Sequence, residues 1–141
     1  MKQFGVRMID NSISSQWWKG IMNHFVKIGN VFEIRCWKEE IAEIESASLY
    51  GAAVDDKYEV TIKGSVTKEL LEELLTEEPT DKSIYNKMTK YFTIHVGNDL
   101  CDIWSEHYGT EMVIDIISDA DIEFFEKVMR QYPESFSIRI S

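Results

Sequence analysis

The sequence predicts an α+β protein with a mixed or largely antiparallel sheet of about six strands and about three helices packed on it. Two patterns support this class. Apolar and polar residues alternate in several short segments, and apolar residues recur every three to four positions in three longer ones. The two kinds of segment are interspersed along the chain, with no repeat or linker between them. We therefore expect all 141 residues to form a single domain.

Alternating segments predict the strands, because successive side chains of a strand point to opposite faces. In 31–38, Phe32, Ile34 and Cys36 share one face, whereas Glu33 and Arg35 share the other. The same alternation predicts strands in the segments 3–9, 58–63, 92–96 and 136–140, and a hairpin over 100–117 that turns around Tyr108-Gly109.

Helical spacing of apolar residues predicts three helices, over 16–28, 68–78 and 118–132. Trp18 lies on the apolar stripe of the first, while Trp17, about 100° round the helix, lies where exposure is possible. Thr67 and Ser118 are the N-cap residues of the other two. Three segments are less regular: 39–49 fits a short acidic helix or a strand, 51–57 a loop, and 82–90 a turn or one helical turn.

The two cysteines, Cys36 and Cys101, lie in apolar, strand-like segments. Such cysteines usually behave as small buried hydrophobic residues, so we expect two free thiols, with a disulfide as the alternative. The first residues lack the pattern of a signal peptide, and no apolar run reaches the 18 or so residues that span a bilayer. We expect a cytoplasmic protein.

The formal net charge of −10 is unevenly distributed. The stretch 39–81 carries 13 acidic and three basic residues, and the stretch 91–126 carries nine acidic residues and no Lys or Arg. An acidic surface repels nucleic acids and anionic lipids and attracts basic proteins. The charge therefore argues against nucleic-acid and membrane partners and favours a basic protein, although it also serves solubility.

The sequence lacks the common catalytic signatures. It has no Gly-rich phosphate loop, no Cys-x-x-Cys pair and no Gly-x-Ser-x-Gly elbow. We expect no enzyme, no catalytic residue, no bound metal and no cofactor. The alternative is a metal-dependent or acid–base enzyme centred on His95 and His107, which are surrounded by carboxylates.

Acidic clusters with tryptophans nearby are the candidate contact surface for a partner, because aromatic residues ringed by polar groups often anchor interfaces. Trp37 is followed by two glutamates, and Trp104 lies in the stretch without Lys or Arg. The complete set of candidate partner-binding residues is Trp37, Glu39, Glu40, Glu72, Glu73, Glu77, Glu78, Asp99, Asp102, Trp104, Glu106 and Glu111.

In its size, its acidity and the rhythm of segments such as 31–40 (Val-Phe-Glu-Ile-Arg-Cys-Trp-Lys-Glu-Glu), the chain resembles the immunity proteins of bacterial contact-dependent inhibition and related polymorphic toxin systems. The resemblance covers the whole chain loosely and carries no residue assignment. It implies a protein that binds and blocks one cognate toxin, often a nuclease, inside the producing cell.

A third hypothesis is a structural module that pairs with another chain through the segment 136–140.

Overall fold

The computed structural model describes residues 1–79 and 86–141, and these residues contain eight strands and four helices. In chain order the elements are β1 (Lys2–Met8), α1 (Gln16–Phe25), β2 (Val31–Trp37), α2 (Ile41–Ser48), β3 (Gly51–Asp55), β4 (Glu59–Ser65), α3 (Lys68–Thr76), β5 (Thr93–Gly97), β6 (Cys101–Glu106), β7 (Glu111–Ile116), α4 (Asp119–Arg130) and β8 (Phe136–Ile140).

All eight strands belong to one sheet, in the order β3-β4-β2-β5-β6-β7-β1-β8, and every neighbouring pair is antiparallel. The α+β class is thus confirmed, as is the largely antiparallel sheet. The numbers differ from the prediction of about six strands and three helices. The individual segments predict seven strands and three helices, and two further short segments also form regular elements.

The two additional elements are α2 and β3. The segment 39–49 forms the helical alternative, whereas the expected loop over 51–57 is wrong, since Gly51–Asp55 pairs with β4 along its whole length. Two glycines allow this close pairing: a Cβ on Gly51 would lie 2.4 Å from the Lys63 carbonyl oxygen, and one on Gly64 would lie 2.5 Å from that of Tyr50. The expected turn over 82–90 falls partly outside the described residues.

One face of the sheet carries the core, and the helices pack against it. Phe125 of α4 contacts Phe4 of β1 with ring centroids 4.7 Å apart, and Trp18 of α1 is fully buried. Trp17, for which the sequence left exposure possible, is also buried, and its ring packs edge-on against Phe136 at 4.8 Å. Helix α1 ends at Phe25, three residues earlier than expected, where the backbone of Val26 becomes extended.

Candidate protein-binding face

The opposite face of the sheet is covered by no helix within residues 1–79 and 86–141, and we call it the open face. Because side chains alternate along a strand, those that do not point into the core point to the open face. The register between strands places them in rows across the sheet. Glu33 of β2, His95 of β5, Trp104 of β6, Val113 of β7 and Gly5 of β1 form the central row.

Four carboxylates on the open face form two like-charged pairs across β6 and β7. Asp102 lies directly opposite Asp115, and Glu106 lies directly opposite Glu111. We call these four residues the acidic quartet. Trp104, opposite Val113, lies between the two pairs. Like charges at directly opposed positions destabilise a sheet, so the arrangement costs folding free energy that a cationic partner would recover.

The side chains that bond the quartet are two histidines and a glutamine, although Arg7 of β1 lies directly opposite Glu111 and Arg139 lies close to Gly5 on the same face. The nearest partners are His95 Nε2 at 2.7 Å from Asp102 Oδ1, Gln3 Nε2 at 2.8 Å from Asp115 Oδ1, and His107 Nδ1 at 2.9 Å from Glu111 Oε2. In the described part of the chain, no Lys or Arg forms an ion pair with any quartet member, and the Glu106 carboxylate has no hydrogen bond.

Trp104 is held in place from the β5 and β2 side. The imidazole of His95 stacks on its ring, with centroids 3.9 Å apart and an interplanar angle of 9°. The guanidinium carbon of Arg35 lies 5.5 Å from the same ring, and Arg35 is itself fixed by a 2.9 Å bond to Glu33. Because these contacts already restrict the Trp104 side chain, it loses little conformational entropy when a partner binds. A half-buried indole of this kind is suited to anchor an interface.

Trp37 lies on the same face, where β2 ends. It is 37% exposed and packs on Phe92 with centroids 4.9 Å apart. The Glu40 carboxylate accepts hydrogen bonds from the Trp37 backbone N–H at 2.9 Å and from the Tyr108 hydroxyl at 3.1 Å. Burial raises the pKa of Glu40 above its ordinary value despite these bonds. The two hydrogen bonds of Glu40 connect the end of β2 to Tyr108. The neighbouring Glu39 is exposed.

The α3 carboxylates are largely engaged within the protein. Lys90 Nζ lies 3.3 Å from Glu73 Oε1 and 2.7 Å from Glu77 Oε2. Glu78 pairs with the buried Lys19. Of the four predicted glutamates in this region, Glu72 has the longest ion pair, at 4.0 Å from Lys68. This cluster belongs to the helix-bearing side of the molecule.

The predicted site residues thus separate into three groups. Five lie on the open face: Trp37, Asp102, Trp104, Glu106 and Glu111. Asp99 is exposed in the turn between β5 and β6, and Glu39 and Glu40 follow β2. The α3 glutamates lie elsewhere. Sequence reasoning missed Asp115, although the predicted hairpin around Tyr108-Gly109 already contained the signal, since pairing Glu106 with Glu111 also places Asp102 opposite Asp115.

The two histidines of the enzyme hypothesis do not share a site in the described residues. One nitrogen of His107 and one oxygen each of Glu106 and Glu111 lie within 4.8 Å of one another, and His95 is not part of this group. Zinc requires ligand atoms about 2.0–2.2 Å from the ion, so these side chains must converge further to hold one. His107 has a backbone φ of 51° and lies in the turn that joins β6 to β7.

Comparison with family models, curated proteins and solved structures found no match to this chain.

Within the described residues the longest helix, α4, has 12 residues, fewer than the roughly 20 that a membrane-spanning helix requires. No helix there is long and apolar enough to cross a bilayer.

Proposed function

We propose that the chain is a binding protein that neutralises a cognate basic protein toxin by covering the toxin's active or substrate-binding surface with the open face. The observation that carries this proposal is the acidic quartet, with its two pairs of directly opposed carboxylates around Trp104. The resemblance to immunity proteins supports the toxin as the partner, and a nuclease is the favoured type because a surface that binds polyanions is basic.

The energetics favour a partner that brings its own cations. Placing a Lys or Arg between Asp102 and Asp115, or between Glu106 and Glu111, replaces repulsion within the sheet by attraction across the interface. The quartet would chiefly accelerate association, whereas Trp104 and Trp37 would slow dissociation by desolvation at the centre and end of the face.

The shape of the surface also favours a macromolecule. A shallow groove of about 290 Å³ lies on the open face beside the quartet, and its lining includes Arg7, Glu106, Glu111 and Arg139. A groove in which both charge signs alternate on a flat sheet suits a second polar surface better than a small apolar ligand, which binds in enclosed, mostly apolar cavities.

The test requires a cognate toxin, which we would seek as a basic C-terminal domain of a secreted protein encoded immediately upstream of this chain. Association and dissociation rates of the purified pair are then measured at several salt concentrations. The quartet variant is D102N/E106Q/E111Q/D115N. The matched control, E45Q/E69Q/E72Q/E123Q, removes four exposed carboxylates from the helices α2, α3 and α4. We expect the quartet variant to associate about tenfold more slowly or worse and to lose most of its salt dependence, while the control changes little. Equal effects of the two variants would contradict the proposal.

The alternative function is metal-dependent chemistry at Glu106, His107 and Glu111, supported by the proximity of their donor atoms. Metal analysis of the purified protein distinguishes the two. Stoichiometric metal that is lost in His107→Ala but retained in His95→Ala would favour the alternative, since His95 lies outside this group.

A further inference from the structure

Strand β8 lies at one edge of the sheet. Its register with β1 determines which of its backbone N–H and C=O groups point away from the sheet. Gln3 and Ser141 exchange two hydrogen bonds, of 3.1 and 2.9 Å. Antiparallel strands alternate bonded and non-bonded pairs, so Arg139 and Ser137 also direct their backbone groups toward β1. The N–H and C=O groups of Phe136, Ile138 and Ile140 therefore point away from the sheet.

The side chains of the same residues leave this edge apolar. Ile138 and Ile140 lie on the helix-bearing side, opposite Val6 and Phe4, yet remain 43% and 53% exposed. They border a groove of about 300 Å³ between β8 and α4, whose floor includes Phe125 and Met129. Helix α4 covers β1 but does not reach across β8.

The apolar side of β8 carries neither a charged residue nor a proline. Edges are commonly blocked by charged residues or proline. The other edge, β3, ends in Asp55 and runs directly into Asp56. In β8 the one charged residue is Arg139, whose side chain lies on the open face, away from the apolar groove.

We propose that β8 pairs antiparallel with β8 of a second copy of this chain, about a two-fold axis at Ile138. In this register Ile138 lies opposite its own copy, Phe136 lies opposite Ile140, and Ser137 lies opposite Arg139. All three outward residues then meet outward residues, so each pair can exchange two hydrogen bonds. Apolar side chains face apolar ones, and Arg139 faces a serine.

Neighbouring registers are worse, so β8 specifies one pairing with its own copy. A shift of one residue places outward groups against inward ones. A shift that centres the axis on Arg139 brings two arginines face to face, which is unfavourable. A shift that centres it on Ser137 places Ile140 opposite Glu134, whose φ of 68° is not that of a strand. The strand thus matches itself best in the one register that uses its full length.

The pairing would extend the eight-stranded sheet into its copy and place both open faces on the same side. It does not depend on the proposed function, because β8 contributes no member of the acidic quartet.

The test is sedimentation of the full chain, unmodified and as Ile138→Pro, over protomer concentrations up to about 100 μM, since dimer formation follows mass action. Proline fits the monomer because the Ile138 N–H points away from β1. Val54→Lys on β3 is the matched control on the other edge. We expect a dimer for the unmodified chain and for Val54→Lys, and an at least tenfold higher dissociation constant for Ile138→Pro, with unchanged circular dichroism.

The register is tested separately by Ile138→Cys under oxidising conditions. Hydrogen-bonded antiparallel partners have Cα atoms about 5.5 Å apart, within disulfide range, so a covalent dimer is expected, whereas Val54→Cys should give none. The native thiols of Cys36 and Cys101 are buried and do not compete. A chain that sediments as a monomer at the highest concentration, or a dimer that Val54→Lys disrupts and Ile138→Pro does not, would overturn the proposal.

Discussion

The indole N–H of Trp18 donates a 3.0 Å hydrogen bond to Ser105 Oγ, and both side chains are fully buried. The same indole lies under the β6–β7 hairpin, where a Cβ on Gly109 would be 2.9 Å from Trp18 Nε1. Helix α1 therefore supports, from the core side, the two strands that display the acidic quartet. One buried hydrogen bond and one close approach at a glycine thus connect the core helix α1 to the hairpin of the candidate interface.

Removing the acceptor should weaken the fold. Ser105→Ala leaves a buried indole N–H unpaired, so we expect the free energy of unfolding to fall by about 1–3 kcal/mol. Urea denaturation followed by tryptophan fluorescence measures the change. Ser65→Ala, at an exposed strand position, should change the value by less than about 0.5 kcal/mol. Similar losses for both variants would show that the hydrogen bond has no special role.

Two glycine substitutions should act in opposite directions. Gly109 has a φ of 83°, and an added Cβ would also lie 2.7 Å from Met88 Cβ, so Gly109→Ala should destabilise by at least about 1–2 kcal/mol. Gly20 lies inside α1 with nothing within 4 Å of an added Cβ. Gly20→Ala should therefore stabilise by about 0.5–1 kcal/mol. Melting temperatures that move the same way in both variants would contradict this reasoning.

The free protein should gain stability when the quartet loses charge. Glu106 faces Glu111, and its carboxylate has no bonding partner among the described residues. Glu106→Gln should raise the free energy of unfolding by about 0.2–1 kcal/mol. The gain should shrink in about 1 M salt, where screening extends only some 3 Å. Glu123→Gln on α4 is the control and should be nearly neutral. A destabilised Glu106→Gln would indicate that this carboxylate supports the fold.

Lys90 should stabilise the protein below strongly alkaline pH. Burial lowers the pKa of Lys90, but its hydrogen bonds and charge attraction to Glu77 and Glu73 outweigh that effect and raise it. A raised lysine pKa stabilises the fold below the unfolded value of about 10.4, and this contribution is lost as the pH rises through the folded value.

Lys90→Met leaves Glu73, whose side chain is 13% exposed, without its cation. We expect a loss of about 1.5–3 kcal/mol at neutral pH, the range for a hydrogen bond to a charged group. The difference from the unmodified protein should narrow near pH 11. Urea denaturation at both pH values measures it, and a constant difference would exclude the ionic contribution.

The two thiols should be unreactive until the protein unfolds. Burial raises the pKa of Cys36 to about 12 and that of Cys101 to about 11. Because the thiolate is the reactive form, neither residue should react with a disulfide reagent at pH 8 in the native protein, and both should react in guanidinium. Rapid labelling of the native chain would contradict the burial, and no labelling after denaturation would indicate the disulfide that the sequence left open.

Elements with a strong local pattern were predictable, and those set by distant contacts were not. The cap at Thr67 and the leucine stripe of α3 are local, and the helix forms as expected. Strand β3 has mostly small residues and depends on pairing with β4, which the sequence does not show. The acidity of α3 was misleading for a similar reason. Lys19 and Lys90, which neutralise its glutamates, lie far enough along the chain that counting charges by segment separated them from their partners.

The position of β1 bears on how the molecule reaches its native state. The two neighbours of this first strand in the sheet are β7 and β8, more than 100 positions later in the chain. Domains dominated by such distant pairings fold on the scale of milliseconds to seconds, because a long loop must close before any contact compensates its lost entropy. During synthesis, therefore, the N-terminal segment must emerge from the ribosome well before its neighbours exist, with Phe4 and Val6 still unburied and within reach of chaperones.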